Sequence, residues 1–257
     1  MSAWFILSTG RCGTQWLSHR LTKLLPKQYW VTHEPLSQDY MPMENSPSLP
    51  LTVNADKILG HLTEIRDHIN RGGKYVECGY QCWRHLSWYK DILQTDVKVI
   101  HLHRNPMSTA CLWLQKGAFL RLSEMELFTP FGAEAKLPEY GSKWHKLSPI
   151  EKNLYFWAEV QAQAKEYKAS WPDEDWFDLP YSQLLNSRTL QKLGHFLDCK
   201  INLHPSNLMV DNQLMELEEI PIDDSVLKAH PGILSLAEEL GYKVSSQQNE
   251  LQMRVGS

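Results

Sequence analysis

The apolar positions along the chain form short continuous runs, separated by longer stretches in which they recur every three or four residues. A short apolar run bounded by turn residues is typical of a buried strand, and the wider spacing is typical of an amphipathic helix. Strands that alternate with helices favour a mostly parallel sheet. We therefore predict a three-layer α/β fold in which helices flank a central sheet. The predicted strands lie at residues 4–7, 29–32, 74–78, 97–102 and 176–179.

Several predicted helices begin at residues that are typical of helix caps. Asn105 followed by Pro106 has an amide at the cap and a proline at the first helical position. Ser148, Pro149 and Glu151 have the spacing of a capping box, which predicts a long helix to about residue 170. Further helices are predicted at residues 14–25, 56–69, 85–93, 189–197 and 233–240, and loops at 36–51 and 122–147.

Composition narrows the class of protein. A net charge of −4 and a pI near 6.3 argue against a general nucleic-acid or membrane-surface protein. The five cysteines are odd in number and lack the spacing of a disulfide framework, so we expect reduced thiols. The apolar run at the start is too short for a signal peptide, and no window has the length of a membrane span. We expect a cytoplasmic protein with one domain over residues 1–257.

The segment after the first predicted strand has the chemistry of an anion-binding loop. Gly10 and Gly13 allow a tight turn that presents backbone N–H groups, and a helix follows from about Thr14. Arg11 adds a permanent positive charge to the same loop. These features predict a site for a phosphate or sulfate group, and the alternative is a tight turn with a solvated Arg11.

Two features distinguish this loop from that of nucleotide-triphosphate hydrolases and kinases. Those proteins place a lysine and then Ser or Thr directly after the second glycine, whereas Gly13 is followed by Thr14 and Gln15. The best central strand ends in His103 and Arg104, where a Mg²⁺-binding aspartate would otherwise stand. An arginine there suits a phosphate group that no metal bridges. We predict no metal site.

At this point the segment resembles the 5′-phosphosulfate loop of sulfotransferases, in the Gly-Arg-x-Gly-Thr form of many bacterial and carbohydrate-modifying members. Residues 99–106 are similar to the family's 3′-phosphate element, an apolar strand that ends in Arg-Asn-Pro before a helix. Residues 177–185, with Phe196 and Leu197, resemble its Tyr-x-x-Leu-Leu segment and Phe-Leu helix. The three matches follow the family's order over about residues 5–200. The resemblance implies a single sulfotransferase domain with a P-loop-like fold.

The resemblance also implies a sulfuryl donor and the residues that bind it. The donor is 3′-phosphoadenosine 5′-phosphosulfate (PAPS), used without a metal ion. By position, Arg11 matches the residue that contacts the leaving phosphate, and Arg104 matches the arginine of the 3′-phosphate site. The implied donor-binding residues are Gly10, Arg11, Cys12, Gly13, Thr14, Gln15, Arg104 and Ser108.

One position departs from the family's pattern. The family usually has a serine eight residues after the 3′-phosphate arginine, and this chain has Leu112 there. We predict that Ser108, in the first turn of the helix after Asn105, takes that role. The alternative is that Ser108 only caps the helix locally, which would put recognition of the 3′-phosphate in doubt.

The acceptor needs a general base, and three residues are candidates. Glu34 comes first, because the sequence from His33 to Leu36 is similar to a Glu-Pro-Leu segment of several carbohydrate-type and bacterial members. Glu77 and then His85 follow. As alternatives, Glu34 pairs with Arg11 or Arg104, and His85 is a histidine on a helix surface.

Together these features predict transfer of a sulfuryl group by in-line displacement to a hydroxyl or amine of a small-molecule acceptor. The alternatives are a kinase-type phosphoryl transferase and a catalytically degenerate homologue that binds nucleotide, the latter supported by Leu112. We expect the loops at 36–51 and 122–147 to cover the acceptor. Tryptophans such as Trp113 either pack in the core or clamp a flat ligand.

Overall fold

The computed structural model describes residues 2–36, 55–120, 129–130, 135–201 and 225–243. Its five strands form one sheet in the order β2-β3-β1-β4-β5, and every pair of neighbours is parallel. This confirms the predicted α/β class with a parallel central sheet. The strands are β1 (Ser2–Leu7), β2 (Tyr29–Thr32), β3 (Lys74–Glu77), β4 (Asp96–His103) and β5 (Trp176–Pro180).

Helices lie on both faces of this sheet. They are α1 (Thr14–Leu24), α2 (Ala55–Asn70), α3 (Leu86–Leu93), α4 (Pro106–Gln115), α5 (Pro138–Gly141), α6 (Pro149–Ser170), α7 (Ser187–Phe196), α8 (Ser225–Lys228) and α9 (Pro231–Glu239). Short 3-10 turns occupy Gln81–Arg84, Trp144–Lys146, Asp173–Asp175 and Tyr181–Gln183. Among the helices of the described ranges, none is both long and apolar enough to cross a membrane.

The central strand β1 separates two hydrophobic cores. Its residues are all buried, because β1 lies between β3 and β4 with helices on either side. Successive side chains of a strand point to opposite faces. Phe5 and Leu7 accordingly pack in the core formed with α2, α3, α4 and α6, while Trp4 and Ile6 pack in the core formed with α1 and α7.

The predicted helix caps are present. Asn105 Oδ1 accepts from Ser108 N at 3.0 Å, and Ser148 with Glu151 forms the capping box of α6. The start of α7 was predicted two residues too late, because Asn186 rather than a later residue caps it through Thr189 N at 3.1 Å.

One predicted loop is partly wrong, and another lies mostly outside the described residues. Residues 138–146, expected to be irregular, contain α5 and a 3-10 turn that bury Tyr140 and Trp144 in the core. The predicted loop at 36–51 lies outside the described residues from position 37 onward.

The parallel sheet brings the carboxyl ends of all five strands to one edge. In open α/β sheets this edge is where ligands bind. Because β1 and β4 are neighbours, the loop after β1 and the residues after β4 meet there.

Candidate active site

The loop between β1 and α1 has the backbone of an anion-binding turn. Gly10, Arg11 and Gly13 adopt positive φ angles of 74°, 54° and 87°. Turns of this kind gather backbone N–H groups into a concavity that binds anions. Gly10 N donates to Ser8 Oγ at 3.1 Å, so the N–H groups for a ligand come from later in the loop.

Helix α1 begins without a side-chain cap. Its N-cap is Gly13, and its first turn contains no acidic residue. The first N–H groups of a helix have no partner within the helix and carry its positive dipole end. Because no side chain caps α1 in the described structure, these N–H groups are suited to a bound anion.

Only glycine fits at two positions of the loop. A Cβ atom at Gly10 would lie 2.7 Å from Trp113 Cζ2, and one at Gly13 would lie 2.8 Å from Leu184 Cδ1. The positive φ at both positions adds strain for any other residue. The glycines therefore let the backbone come close to the side chains that support it.

Two arginines meet at the carboxyl edge of the sheet. Arg11 is exposed, and its Cζ lies 4.8 Å from the ring centroid of Trp113. Arg104 is 5% exposed, and its Cζ lies 4.1 Å from the centroid of Tyr181. Arg104 Nη1 donates to Arg11 O at 3.3 Å, which joins the end of β4 to the loop.

The other predicted residues of the loop differ in burial and in their hydrogen-bond partners. Cys12 is fully buried, its Sγ donates to Gly10 O at 3.0 Å, and burial raises the pKa of its thiol. Its contribution to a ligand is therefore limited to the backbone. Thr14 Oγ1 lies 3.3 Å from His33 Nε2, and Gln15 is exposed to solvent.

The polar groups of Ser108 contact the cap residue of its own helix. It is 2% exposed, and both its N atom (3.0 Å) and its Oγ (3.4 Å) contact Asn105 Oδ1. This is the local capping that the sequence left open as the alternative. Leu112 is half-buried one turn further along α4.

His33 connects Glu34 to the loop between β1 and α1. Glu34 Oε1 lies 3.6 Å from His33 Nε2, the same atom that contacts the Thr14 hydroxyl. Burial lowers the pKa of His33, and the negative charge of Glu34 opposes that shift. A quarter of the Glu34 side chain is exposed, at 25%.

Glu77 and His85 lie deeper in the protein. Glu77 is 1% exposed, and its Oε2 accepts from Tyr75 Oη at 2.8 Å. His85 is 8% exposed at the N-cap of α3, and burial lowers its pKa to about 4. The interpretation of His85 as a surface histidine is therefore wrong. Of the three candidate bases, Glu34 is the most exposed.

A separate cavity of about 340 Å³ lies between α6, α9 and the β4–β5 edge, and no residue of the loop between β1 and α1 lines it. His101 and His103 contribute to its wall. His101 contacts Asp178 Oδ1 at 3.1 Å and Gln161 Oε1 at 2.8 Å, while His103 Nδ1 contacts Tyr242 Oη at 2.7 Å. Both histidines are thus held within the fold.

The described ranges contain no group of three or more His, Cys, Asp or Glu side chains that could hold a metal ion. Cys78 and Cys82 are fully buried, and burial raises the pKa of both thiols. They are free, buried thiols that lie just after β3.

Sequence reasoning missed three contacts of the candidate site. Trp113 lies under Arg11, Tyr181 lies under Arg104, and His33 connects Thr14 to Glu34. No local pattern pairs Trp113 with a loop about a hundred residues earlier. Tyr181 does belong to the Tyr-x-x-Leu-Leu segment, which was the available signal.

Comparison with known proteins finds no matching family model and no matching curated protein. Among solved structures, a sulfotransferase domain of the Synechococcus PCC 7002 olefin synthase matches with a TM-score of 0.59 at 15% identity, over 95% of this chain and 96% of that one. A sulfotransferase domain from the curacin biosynthetic pathway matches at 0.53 and 14%, over 94% and 98%. A sulfotransferase from Alicyclobacillus acidocaldarius matches at 0.52 and 15%, over 94% and 96%. The chain has the fold of sulfotransferase domains.

Proposed function

We propose that this protein transfers a sulfuryl group from PAPS to a hydroxyl or amine of a small-molecule acceptor. The observation that carries the proposal is the pair Arg11 and Arg104, joined at 3.3 Å beside the uncapped start of α1. PAPS presents a phosphosulfate on one side of its ribose and a phosphate on the other. A site for it needs positive charge for each of these groups, and Arg11 and Arg104 provide one cation each.

The loop fits the phosphosulfate end of the donor. The uncapped N–H groups of α1 favour an anion, and Arg11 is exposed where it can contact the phosphate that leaves. Arg104, held between Tyr181 and the backbone of Arg11, fits the 3′-phosphate. Ser108 joins that site only if its hydroxyl leaves Asn105. The positive charge comes from arginines and N–H groups, so we propose that no metal ion is required.

The reaction is an in-line displacement at sulfur. The acceptor oxygen or nitrogen forms a bond to sulfur while the bond from sulfur to the 5′-phosphate oxygen breaks. Negative charge grows on that oxygen, and fixed donors aimed at growing charge lower the barrier most. Arg11 and the start of α1 are placed to do this, and Glu34 takes the acceptor proton.

Incubation with sulfur-labelled PAPS and a panel of hydroxyl- and amine-bearing metabolites tests the proposal. Labelled product should form at an equal rate with a metal chelator present, and radiolabelled ATP with Mg²⁺ should give no transfer. Transfer from ATP alone would support the kinase-type alternative and overturn the proposal. Binding of phosphoadenosine phosphate without transfer to any acceptor would indicate the degenerate homologue.

A further inference from the structure

Trp113 connects helix α4 to the backbone just after β1. It lies on α4, and its indole N–H donates to Thr9 O at 2.9 Å. Thr9 is fully buried and directly precedes the first glycine of the loop. A backbone carbonyl so close to the loop is therefore tied to a side chain 104 positions away.

The same indole ring lies under the guanidinium of Arg11. The distance from Arg11 Cζ to the ring centroid is 4.8 Å. Trp113 is 8% exposed while Arg11 is exposed, so a solvent-accessible cation lies on a buried aromatic ring. Guanidinium groups are attracted to aromatic faces and stack on them because both are planar. The ring thus restricts where the charge of Arg11 can lie.

The indole of Trp113 packs closely against the loop between β1 and α1. Trp113 Cζ2 would be 2.7 Å from a Cβ at Gly10, so backbone and ring are in direct contact. Tyr80 meets the ring edge-on, with centroids 5.5 Å apart. Trp113 is therefore held between the loop backbone and Tyr80.

We propose that Trp113 is a positioning residue for the 5′-phosphate: it holds the Arg11 guanidinium over the loop through its ring and fixes the loop backbone through its N–H. This inference rests on the proposed function, in which Arg11 contacts the phosphate that leaves. It predicts that Trp113 affects only ligands that carry a 5′-phosphate, and that the part of its effect exerted through the ring requires Arg11.

Calorimetric titration with two ligands tests this role without knowledge of the acceptor. Trp113→Leu should weaken binding of phosphoadenosine phosphate about tenfold, the effect of losing a partly desolvated cation–π contact. Binding of adenosine 3′-phosphate, which lacks the 5′-phosphate, should change less than about twofold. In an Arg11→Ala background the same substitution should weaken binding of phosphoadenosine phosphate less than it does in the wild type, because the ring has lost its cation and coupled residues are not additive.

Trp171 provides a matched control. Its N–H donates to Val97 O at 2.9 Å, Lys90 Nζ lies 4.8 Å from its ring centroid, and it is 7% exposed. Trp171→Leu should leave the affinity for both ligands unchanged. If Trp113→Leu does not fold, Trp113→Phe, which keeps a ring but loses the N–H, should still weaken only the 5′-phosphorylated ligand.

Two other results would overturn this role, and they differ from failure of the function. Equal weakening of both ligands would show that Trp113 only stabilises the fold, and an undiminished effect in the Arg11→Ala background would show that its ring does not act through Arg11. Either result leaves sulfuryl transfer untouched. If the wild-type protein does not bind phosphoadenosine phosphate at all, the proposed function fails and this role fails with it.

Discussion

The two strand–helix junctions at the centre of the sheet differ in how their helices begin. Helix α1 follows β1 through a glycine-containing loop and has no side-chain cap. Helix α4 follows β4 directly, with Asn105 as its cap and Pro106 at its first position. The arginines of the two junctions also differ in burial: Arg11 is exposed, whereas Arg104 is 5% exposed.

Under the proposed function, this difference separates two ways of recognising a phosphate. At the β1–α1 junction no side chain caps the first N–H groups of α1, and the exposed Arg11 adds positive charge. At the β4–α4 junction Asn105 accepts from Ser108 N, so the proposed recognition of the 3′-phosphate depends on the side chain of Arg104. We therefore expect the first junction to contribute most to catalysis and the second to contribute to binding and to the stability of the fold.

The largest expected effect follows from removing the exposed cation. Arg11→Ala should lower kcat about 10²-fold or more, as does loss of one donor to a developing oxyanion. Steady-state kinetics with PAPS and the best acceptor measures the change. Arg71→Ala removes an exposed arginine before β3, at the opposite edge of the sheet, and should leave kcat unchanged. Equal rates for wild type and Arg11→Ala would contradict the proposed division of labour.

The next largest effect is on stability, and it follows from the close contact between the Gly13 backbone and Leu184. Gly13 and Gly72 share a φ of +87°, but a Cβ would meet Leu184 at 2.8 Å only at Gly13. Each substitution by alanine should lower the free energy of unfolding by about 1–2 kcal/mol through backbone strain. Gly13→Ala should cost more than Gly72→Ala because of the contact with Leu184. Urea unfolding measures both, and identical losses would show that the contact has no effect.

Acid should destabilise the second junction through His103. Burial lowers the pKa of His103 to about 3, below its unfolded value, so the unfolded chain binds more protons between that value and about 6.5. Stability present above pH 6.5 is therefore lost as the pH falls. Between pH 7 and pH 5 this group should remove about 1–2 kcal/mol.

Urea unfolding at pH 7 and pH 5 checks the expectation. His103→Gln should reduce the loss of stability between the two pH values, whereas His19→Gln, at an exposed position of α1, should not. An unchanged loss in His103→Gln would contradict this account of the second junction.

The smallest effect would make the second junction resemble the first. Asn105→Ala should cost about 1 kcal/mol of stability, as removal of an N-cap does. It also frees Ser108 N, so adenosine 3′-phosphate should bind about two- to fivefold more tightly. Asn186→Ala removes the equivalent cap of α7 and should cost as much stability without any change in affinity. Weaker binding by Asn105→Ala would show that the cap itself serves the site.

Local patterns predicted most of the fold. Apolar runs located the strands, and the cap residues Asn105 and Ser148 located two helix starts, because these features depend on neighbours in the sequence. The short helices within residues 138–146 were not predicted, because their burial depends on a core formed by residues that are distant in the sequence.

The candidate site was only partly predictable for the same reason. The glycines and arginines stand in short recognisable motifs, whereas the contacts that position them are long-range. Trp113 under Arg11 and the bond from Arg104 to Arg11 O arise from the neighbouring positions of β1 and β4. The predicted role of Ser108 depended on which way its hydroxyl points, and in the structure that hydroxyl contacts Asn105 Oδ1.

The uncapped start of α1 also has a consequence for dynamics. A helix whose first turn lacks a cap opens more easily, and its amide hydrogens exchange faster with solvent. A bound anion there completes the turn, so a ligand that binds only the folded protein also slows its local opening. The amides of Thr14 and Gln15 should therefore report occupancy of the loop directly, through hydrogen exchange, before any acceptor is known.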